Sequence, residues 1–269
     1  SKFMVLGRAI TIAASLLTGA RSIRMSSSVF DRVSVDRGTQ RITIAHDASS
    51  GAAPQASVIV MHGLGDSAQG WLDVAAMWAN VFPGVRFVLP TAPIRPITLN
   101  GGMQMTGWYD IASLSADRAE QTCDGLDESR AIIDDIIADE ARAVGGVSRV
   151  VLAGFSQGGA VALYTGLNRA SDSVAGILCM SGYLPKSEAW VPAEAARSVP
   201  VLLCHGDADP VVLPEWAQKS YARLKEHGLA SLEPIKWYKG MEHSACEEEI
   251  QDATNFLART LGLGPAAQS

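Results

Sequence analysis

Cysteine is scarce and unclustered: Cys123, Cys179, Cys204 and Cys246 are the four in 269 residues, with no CxxC spacing. A zinc site or a disulfide framework needs such clustering, so neither is expected and a reducing compartment is the natural home. Cys179 and Cys204 lie in apolar runs, where a free thiol behaves as a small hydrophobe. The five histidines include no HExxH pattern, which leaves metal catalysis without support, and no cofactor is expected. Basic charge is short as well, with 22 Lys and Arg against 28 Asp and Glu, a net −6. Phosphate neutralisation needs a basic face, so nucleic acid is excluded as a partner. Nor is there an apolar run of the roughly 20 residues that a membrane-spanning helix requires. What is present is 48% apolar residues, in a chain long enough to bury about three quarters of its unfolded surface, as a folded, soluble protein does.

The charge is unevenly spread. Lys2, Arg8, Arg21 and Arg24 all precede the first acid, Asp31, so residues 1–30 carry +4 and residues 31–269 carry −10. Between Arg8 and Arg21 runs a 12-residue apolar stretch ending in small residues. Three readings fit it: a secretory signal, an acid-free organellar transit peptide, or upstream sequence ahead of an internal start at Met25. The cysteines, unprepared for an oxidising compartment, disfavour the first. An ordered helix packed on the domain is the plain alternative. We divide the chain into an arm at 1–27, one domain at 28–262 and a tail at 263–269.

From Ser57 onward, short apolar or β-branched runs alternate with helical patterns. Strands are expected at 58–61, 86–89, 149–153, 174–180, 199–204 and 235–238. Helices are expected at 71–80, 157–168, 215–227 and 247–261. In another helix Ile132, Ile133, Ile136, Ile137 and Val144 make a stripe opposite Asp134, Asp135 and Asp139. An edge hairpin is expected from 29–35 and 39–46. Such alternation implies an α/β fold with a mostly parallel sheet covered on both faces. Residues 90–126 break the pattern, with three prolines in the first seven positions and no helical period. The segment holds Leu99, Met103, Met105, Trp108 and Tyr109, so we read it as a long lid-like loop or the wall of an apolar site. Simple cover for the core is the alternative.

The strongest motif is Gly154-Phe155-Ser156-Gln157-Gly158, a GxSxG placed after an apolar strand and before an apolar helix. Alone the pattern is a glycine-rich turn. In this context it becomes a nucleophile elbow, with a serine forced outward and a helix N-terminus beside it to stabilise negative charge. A serine hydroxyl needs a base held by a carboxylate. Two later strand ends supply candidates: His205-Gly206-Asp207-Ala208-Asp209-Pro210, and Gly240-Met241-Glu242-His243-Ser244. Sites in open parallel sheets lie at those carboxyl ends. His243 is the candidate base. His62 and His205, each before a glycine, suit turns, while His46 and His227 suit the surface. Spacing alone does not separate Asp207 from Asp209. Pro210 favours a fixed, outward Asp209, and Asp207 suits a turn.

Five blocks carry a family resemblance: His62-Gly-Leu-Gly-Asp66, the stretch 93–110 with Arg95-Pro96 and Trp108-Tyr109-Asp110, 154–160, 205–210 and 241–244. Together they resemble the acyl-protein thioesterases, in the lysophospholipase and carboxylesterase group of α/β-hydrolases. The resemblance implies an α/β-hydrolase fold and a triad of Ser156, Asp209 and His243. It also implies an oxyanion hole from the backbone N–H groups of Leu64 and Gln157, whose side chains would then matter little. Leu99, Met103, Trp108, Tyr183, Leu184, Val212 and Leu213 are candidate acyl-binding walls, though each also suits ordinary core.

The implied function is a serine hydrolase that removes long acyl chains from S-acylated proteins through an acyl-enzyme. A general carboxylesterase or lysophospholipase is the alternative, and a non-catalytic ligand receptor on the same fold a remote one. Expected partners are S-acylated proteins or acyl lipids, with transient membrane-surface contact. The expected location is cytoplasmic, subject to any targeting by the arm. Some members of the family are lipidated at a cysteine near the N-terminus, whereas the first cysteine here is Cys123.

Overall fold

The computed structural model describes residues 27–114, 121–188 and 190–264. The expected arm lies outside these residues apart from Ser27, as does the expected tail beyond 264. Ten strands are found among the described residues: β1 (Val33–Asp36), β2 (Arg41–Ile44), β3 (Ala56–Met61), β4 (Val85–Leu89), β5 (Ile94–Ile97), β6 (Met103–Thr106), β7 (Val150–Phe155), β8 (Gly176–Met180), β9 (Val201–Gly206) and β10 (Lys236–Tyr238). The helices are α1 (Ser27–Phe30), α2 (Leu72–Val81), α3 (Leu126–Val144), α4 (Gln157–Leu167), α5 (Pro214–Glu226) and α6 (Glu247–Leu261).

Eight strands form one sheet in the order β1-β2-β4-β3-β7-β8-β9-β10. From β4 to β10 every pairing is parallel, and β2 and β1 add an antiparallel edge. Strands β3, β7, β8 and β9 are buried at every position, which is why they read as unbroken apolar runs. Their side chains alternate between two cores. Ile59, Met61, Leu152, Ile177, Cys179 and Leu203 pack beneath α3, α4 and α5, while Val58, Val60, Val151, Ala153, Leu178 and Leu202 pack beneath α2 and α6. Burial pushes the Cys179 thiol up to about 12, so it stays protonated as a small hydrophobe.

Local differences from expectation have local causes. Residues 29–35 divide into the turn of α1 and strand β1, because Val29 is drawn into the core beside α2 and its carbonyl accepts Arg32 N–H at 3.1 Å. On α3, Ile133, Ile137 and Val144 are buried but Ile132 is half exposed. The stripe passes through Glu140 instead, and a charge is tolerated there because Arg86 (2.7 Å) and Ser57 Oγ (2.8 Å) donate to its carboxylate.

The segment expected to lack regular structure holds an antiparallel hairpin, with Ile94 opposite Thr106 and Ile97 opposite Met103. Gly101 and Gly102 take φ values of 66° and 78° at its tip. Pro96 hid the first strand, yet a two-stranded ribbon tolerates it. The apolar residues of this segment go to opposite places: Ile94 and Met103 are 73% and 61% exposed, whereas Trp108 and Tyr109 are fully buried in the core under α3 and α4. Arg95 ties the hairpin down by donating to the carbonyls of Gly107 (2.7 Å) and Asp124 (3.2 Å).

Candidate functional site

Chain order along the sheet reverses between β3 and β7: β3 leads outward to β4, whereas β7 leads the other way through β8 and β9. A crevice opens at such a switch point, outside the carboxyl ends of the strands. Met61 pairs with Gly154 there, so the loop after β3 and the turn after β7 emerge side by side. The first carries His62 to Asp66 and the second carries Ser156.

The turn after β7 admits no side chains at its glycines. A Cβ on Gly154 would lie 2.3 Å from the Gly158 backbone, and one on Gly158 would lie 2.2 Å from Met61 O. Ser156 adopts φ 55°, ψ −118°, an uncommon conformation for a residue with a side chain, and is held there by its N–H donating to Met180 O at 2.8 Å. Its Oγ lies 2.9 Å from His243 Nε2. His243 Nδ1 lies 2.7 Å from Asp209 Oδ2, and because an ionised carboxylate only accepts, Nδ1 carries the proton and Nε2 is left to accept from Ser156. The other Asp209 oxygen accepts the N–H groups of Val211 and Val212 at 2.8 and 2.9 Å. The Asp209 side chain is wholly buried, whereas Ser156 is 8% exposed and the His243 side chain 13%, so the arrangement opens to solvent at its serine and histidine and is closed at its carboxylate.

Asp207 points elsewhere. It accepts Gly240 N–H at 2.6 Å, and Ala208 N–H donates to Met241 O at 3.2 Å, so the loops carrying Asp209 and His243 are stitched to each other. His205 and His62 are buried, but neither sits in a turn as expected: His205 is the fifth residue of β9 and His62 directly follows β3. The His205 ring contacts Val212 O at 2.7 Å, and His62 Nδ1 contacts Gly63 O at 2.6 Å while its Nε2 accepts Ala92 N–H at 3.0 Å. Burial lowers the His62 ring to about 4, so it is uncharged near neutral pH.

Two backbone amides near the serine, on different segments, are without acceptors among the described residues. Gln157 N–H is the first amide of α4 and has no acceptor within its helix. Leu64 N–H donates to no acceptor among the described residues. The side chain of Gln157 is a feature that sequence reasoning missed. It is buried, its Oε1 accepts Trp108 N–H at 2.7 Å, and its Nε2 donates to Tyr109 O at 2.7 Å. The x positions of GxSxG carry no rule that would have signalled this.

Of the proposed wall residues, Trp108, Tyr183, Leu184 and Val212 are buried in one cluster with Leu99 packed against it. Tyr183 and Tyr109 share a hydroxyl–hydroxyl hydrogen bond of 2.8 Å. Met103 and Leu213 lie outside that cluster and are 61% and 36% exposed. Among the described residues no group of three or more His, Cys, Asp or Glu is arranged to hold a metal ion, and no helix is long and apolar enough to cross a membrane.

Comparison with known proteins places this geometry. The phospholipase/carboxylesterase family model matches residues 44–261. An acyl-protein thioesterase 1 homolog of Dictyostelium discoideum is 39% identical over 208 residues, 77% of this chain and 91% of that protein. Acyl-protein thioesterase 1 of Mycosarcoma maydis is 39% identical over 233 residues, 81% and 97% of the two chains. Among solved structures, Zea mays acyl-protein thioesterase 2 superposes with a TM-score of 0.70 at 28% identity, covering 83% of this chain and all of that one. The esterase PE8 superposes with a TM-score of 0.68 at 25% identity, covering 85% of this chain and 99% of its own. The chain is a hydrolase with the α/β-hydrolase fold, and it belongs to the phospholipase/carboxylesterase family.

Proposed function

We propose that the protein is an acyl-protein thioesterase whose domain at 28–262 hydrolyses long-chain thioesters of S-acylated proteins, with Ser156 as nucleophile, His243 as base then acid, and Asp209 as its orienting carboxylate. The observation that carries this reading is the unbroken chain from Ser156 Oγ through the His243 ring to Asp209, at 2.9 and 2.7 Å. Ser156 Oγ attacks the thioester carbonyl carbon as its proton passes to His243 Nε2. The imidazolium is stabilised by Asp209, and the oxyanion by the N–H groups of Leu64 and Gln157. Collapse of the adduct breaks the carbon–sulfur bond, and His243 gives its proton to the departing thiol. Water, deprotonated by His243, then attacks the acyl-enzyme and releases the fatty acid and free Ser156.

The substrate class is supported by the relatives' names and by the apolar cluster of Trp108, Tyr183, Leu184 and Val212 close to the elbow in the fold. Each methylene moved from a bilayer needs about 0.8 kcal/mol of replacement burial, so a 16-carbon chain needs on the order of 10 kcal/mol of apolar contact. Leu99, Met103 and Leu213 are proposed to extend that wall outward, which would bring the enzyme into transient contact with the membrane surface beside its substrate. The net charge of −6 suits neither nucleic acid nor anionic lipid as a primary partner. We further propose a cytoplasmic location, with residues 1–27 as a separate arm.

Turnover of a palmitoyl-peptide before and after Ser156→Ala tests the chemistry; activity that survives the substitution rejects it. The likeness to esterase PE8 favours a second reading, a general carboxylesterase. Comparing kcat/KM for a thioester and an oxygen ester of equal chain length separates the two, and a preference for the oxygen ester selects the second.

A further inference from the structure

The two amides assigned to the oxyanion hole belong to segments 93 residues apart, Leu64 after β3 and Gln157 at the start of α4. Stabilising an oxyanion requires both to aim at one point about 2.7–3.1 Å away, and neither can be adjusted by its own main chain without moving a loop or a helix. Pairing of Met61 with Gly154 sets the strands but stops short of both donors. Beyond the strands the segments touch through Gly63 and Gly158, and Trp108 hydrogen-bonds to both segments. Trp108 N–H donates to Gln157 Oε1 at 2.7 Å, and Trp108 Nε1–H donates to His62 O at 2.9 Å, two residues before Leu64.

The circuit is closed and buried. Gln157 Nε2 donates to Tyr109 O at 2.7 Å, so the side-chain amide grips residues 108 and 109 through both its acceptor and its donor. Ser129 Oγ on α3 donates to Trp108 O, anchoring the span from behind. On the far side, the neutral His62 ring ties Gly63 O to Ala92 N–H, which holds the loop that leads into Leu64. Trp108, His62 and Ser129 are fully buried and Gln157 nearly so. Hydrogen bonds in such surroundings are costly to leave unmade, so the set holds one geometry.

We propose that the Gln157 side chain and Trp108 are positioning residues that set the spacing of the two oxyanion-hole amides. Trp108 thereby acts through the amides it spaces and need not touch the acyl chain. The inference rests on the serine-hydrolase reading of the site, and it predicts a signature that reading alone does not. Interactions that act on the transition state lower kcat and weaken tetrahedral adducts while leaving substrate binding in place.

The test compares the full chain with Gln157→Met, Trp108→Phe, the double variant and Ser156→Ala. Gln157→Met keeps the volume and removes both hydrogen bonds; Trp108→Phe keeps an aromatic ring and removes the N–H. Measured on a p-nitrophenyl ester, kcat is normalised to active sites titrated with a fluorophosphonate, so misfolded molecules are not counted. Gln157→Met is expected to lower kcat about 30-fold and Trp108→Phe about 5-fold, less than the 100-fold or more typical of losing a whole oxyanion donor, with KM changed less than about 3-fold. Affinity for an alkylboronic acid, which forms a tetrahedral adduct on serine, should fall by the same factors. The double variant should lose less than the product of the single losses, because both act on one spacing. Unchanged kcat per titrated site in both single variants, losses confined to KM, or strictly multiplicative losses would each overturn the proposal. Activity surviving in Ser156→Ala would instead overturn the underlying serine-hydrolase reading.

Discussion

The turn around Asp209 and the first turn of α6 each bury a carboxyl group, and they treat it in opposite ways. Asp209 has both oxygens engaged, one by two backbone N–H groups and the other by His243. Glu249 is equally buried, yet neither of its oxygens has a hydrogen-bond partner among the described residues. Burial, with the nearby charge of Asp209 adding to it, pushes Glu249 up to about 8. A carboxylate in the interior persists where dipoles and a prospective cation converge on it; without them the proton stays. The acid beside His243 is thus distinguished from Glu249 by what surrounds it rather than by residue type.

The sharpest way to break that comparison is to make the same isosteric change in both places. Asp209→Asn should lower kcat/KM by about four orders of magnitude, because the amide no longer holds the proton on Nδ1, while Glu249→Gln should cost only a small factor at pH 7. Equal losses in the two variants would dissolve the distinction.

Next comes stability against pH. The proton that Glu249 retains in the fold contributes stability that is fully present below the unfolded value of 4.5 and is lost as pH rises through about 8. The window spans more than three pH units, worth roughly 5 kcal/mol at its limit. Urea unfolding of the natural chain and of Glu249→Gln from pH 4.5 to 8.5 should diverge progressively, with the variant the more stable at the alkaline end. Parallel curves would mean that Glu249 is ionised in the fold.

A third buried acid sharpens the rule. Glu140 accepts hydrogen bonds from the guanidinium of Arg86 and the hydroxyl of Ser57. Arg86→Met removes its cation and should destabilise by about 3 kcal/mol in urea at pH 7; an unchanged urea midpoint would remove Glu140 from the rule. The smallest effect belongs to the exposed Asp207, whose side-chain bond to Gly240 N–H is worth about 1 kcal/mol. Asp207→Ala should lower the melting temperature by a few degrees and kcat by a few fold, through the loosened loop that carries His243.

Much of the fold was legible in the chain because its signals are local. A buried parallel strand is apolar throughout, an elbow needs small residues at Gly154 and Gly158, and α6 follows its apolar period from Glu247 to Leu261. The hairpin of β5 and β6 was illegible because Pro96 and the unbranched Met103 and Met105 carry no strand signal. The destinations of Met103 and Trp108, five residues apart, were illegible for another reason. Both are apolar, and only the packing of α3 and α4 over the 108–109 segment separates an exposed side chain from a buried one. The grip of Gln157 on Trp108 and Tyr109 belongs to the same class, since each partner looks ordinary until the chain brings them within 2.7 Å.

By itself the sequence determined the layered α/β architecture, the elbow at Ser156 and the two strand-end loops that offer His243 and a nearby aspartate, since periodicity, glycine and proline act over a few neighbouring residues. Only the tertiary structure brought Asp209 to within 2.7 Å of His243, left the buried carboxyl of Glu249 without hydrogen-bond partners among the described residues and sent Trp108 inward. Those outcomes depend on burial and on the fields of groups far apart in the chain, and neither exists until the sheet and its helices have assembled.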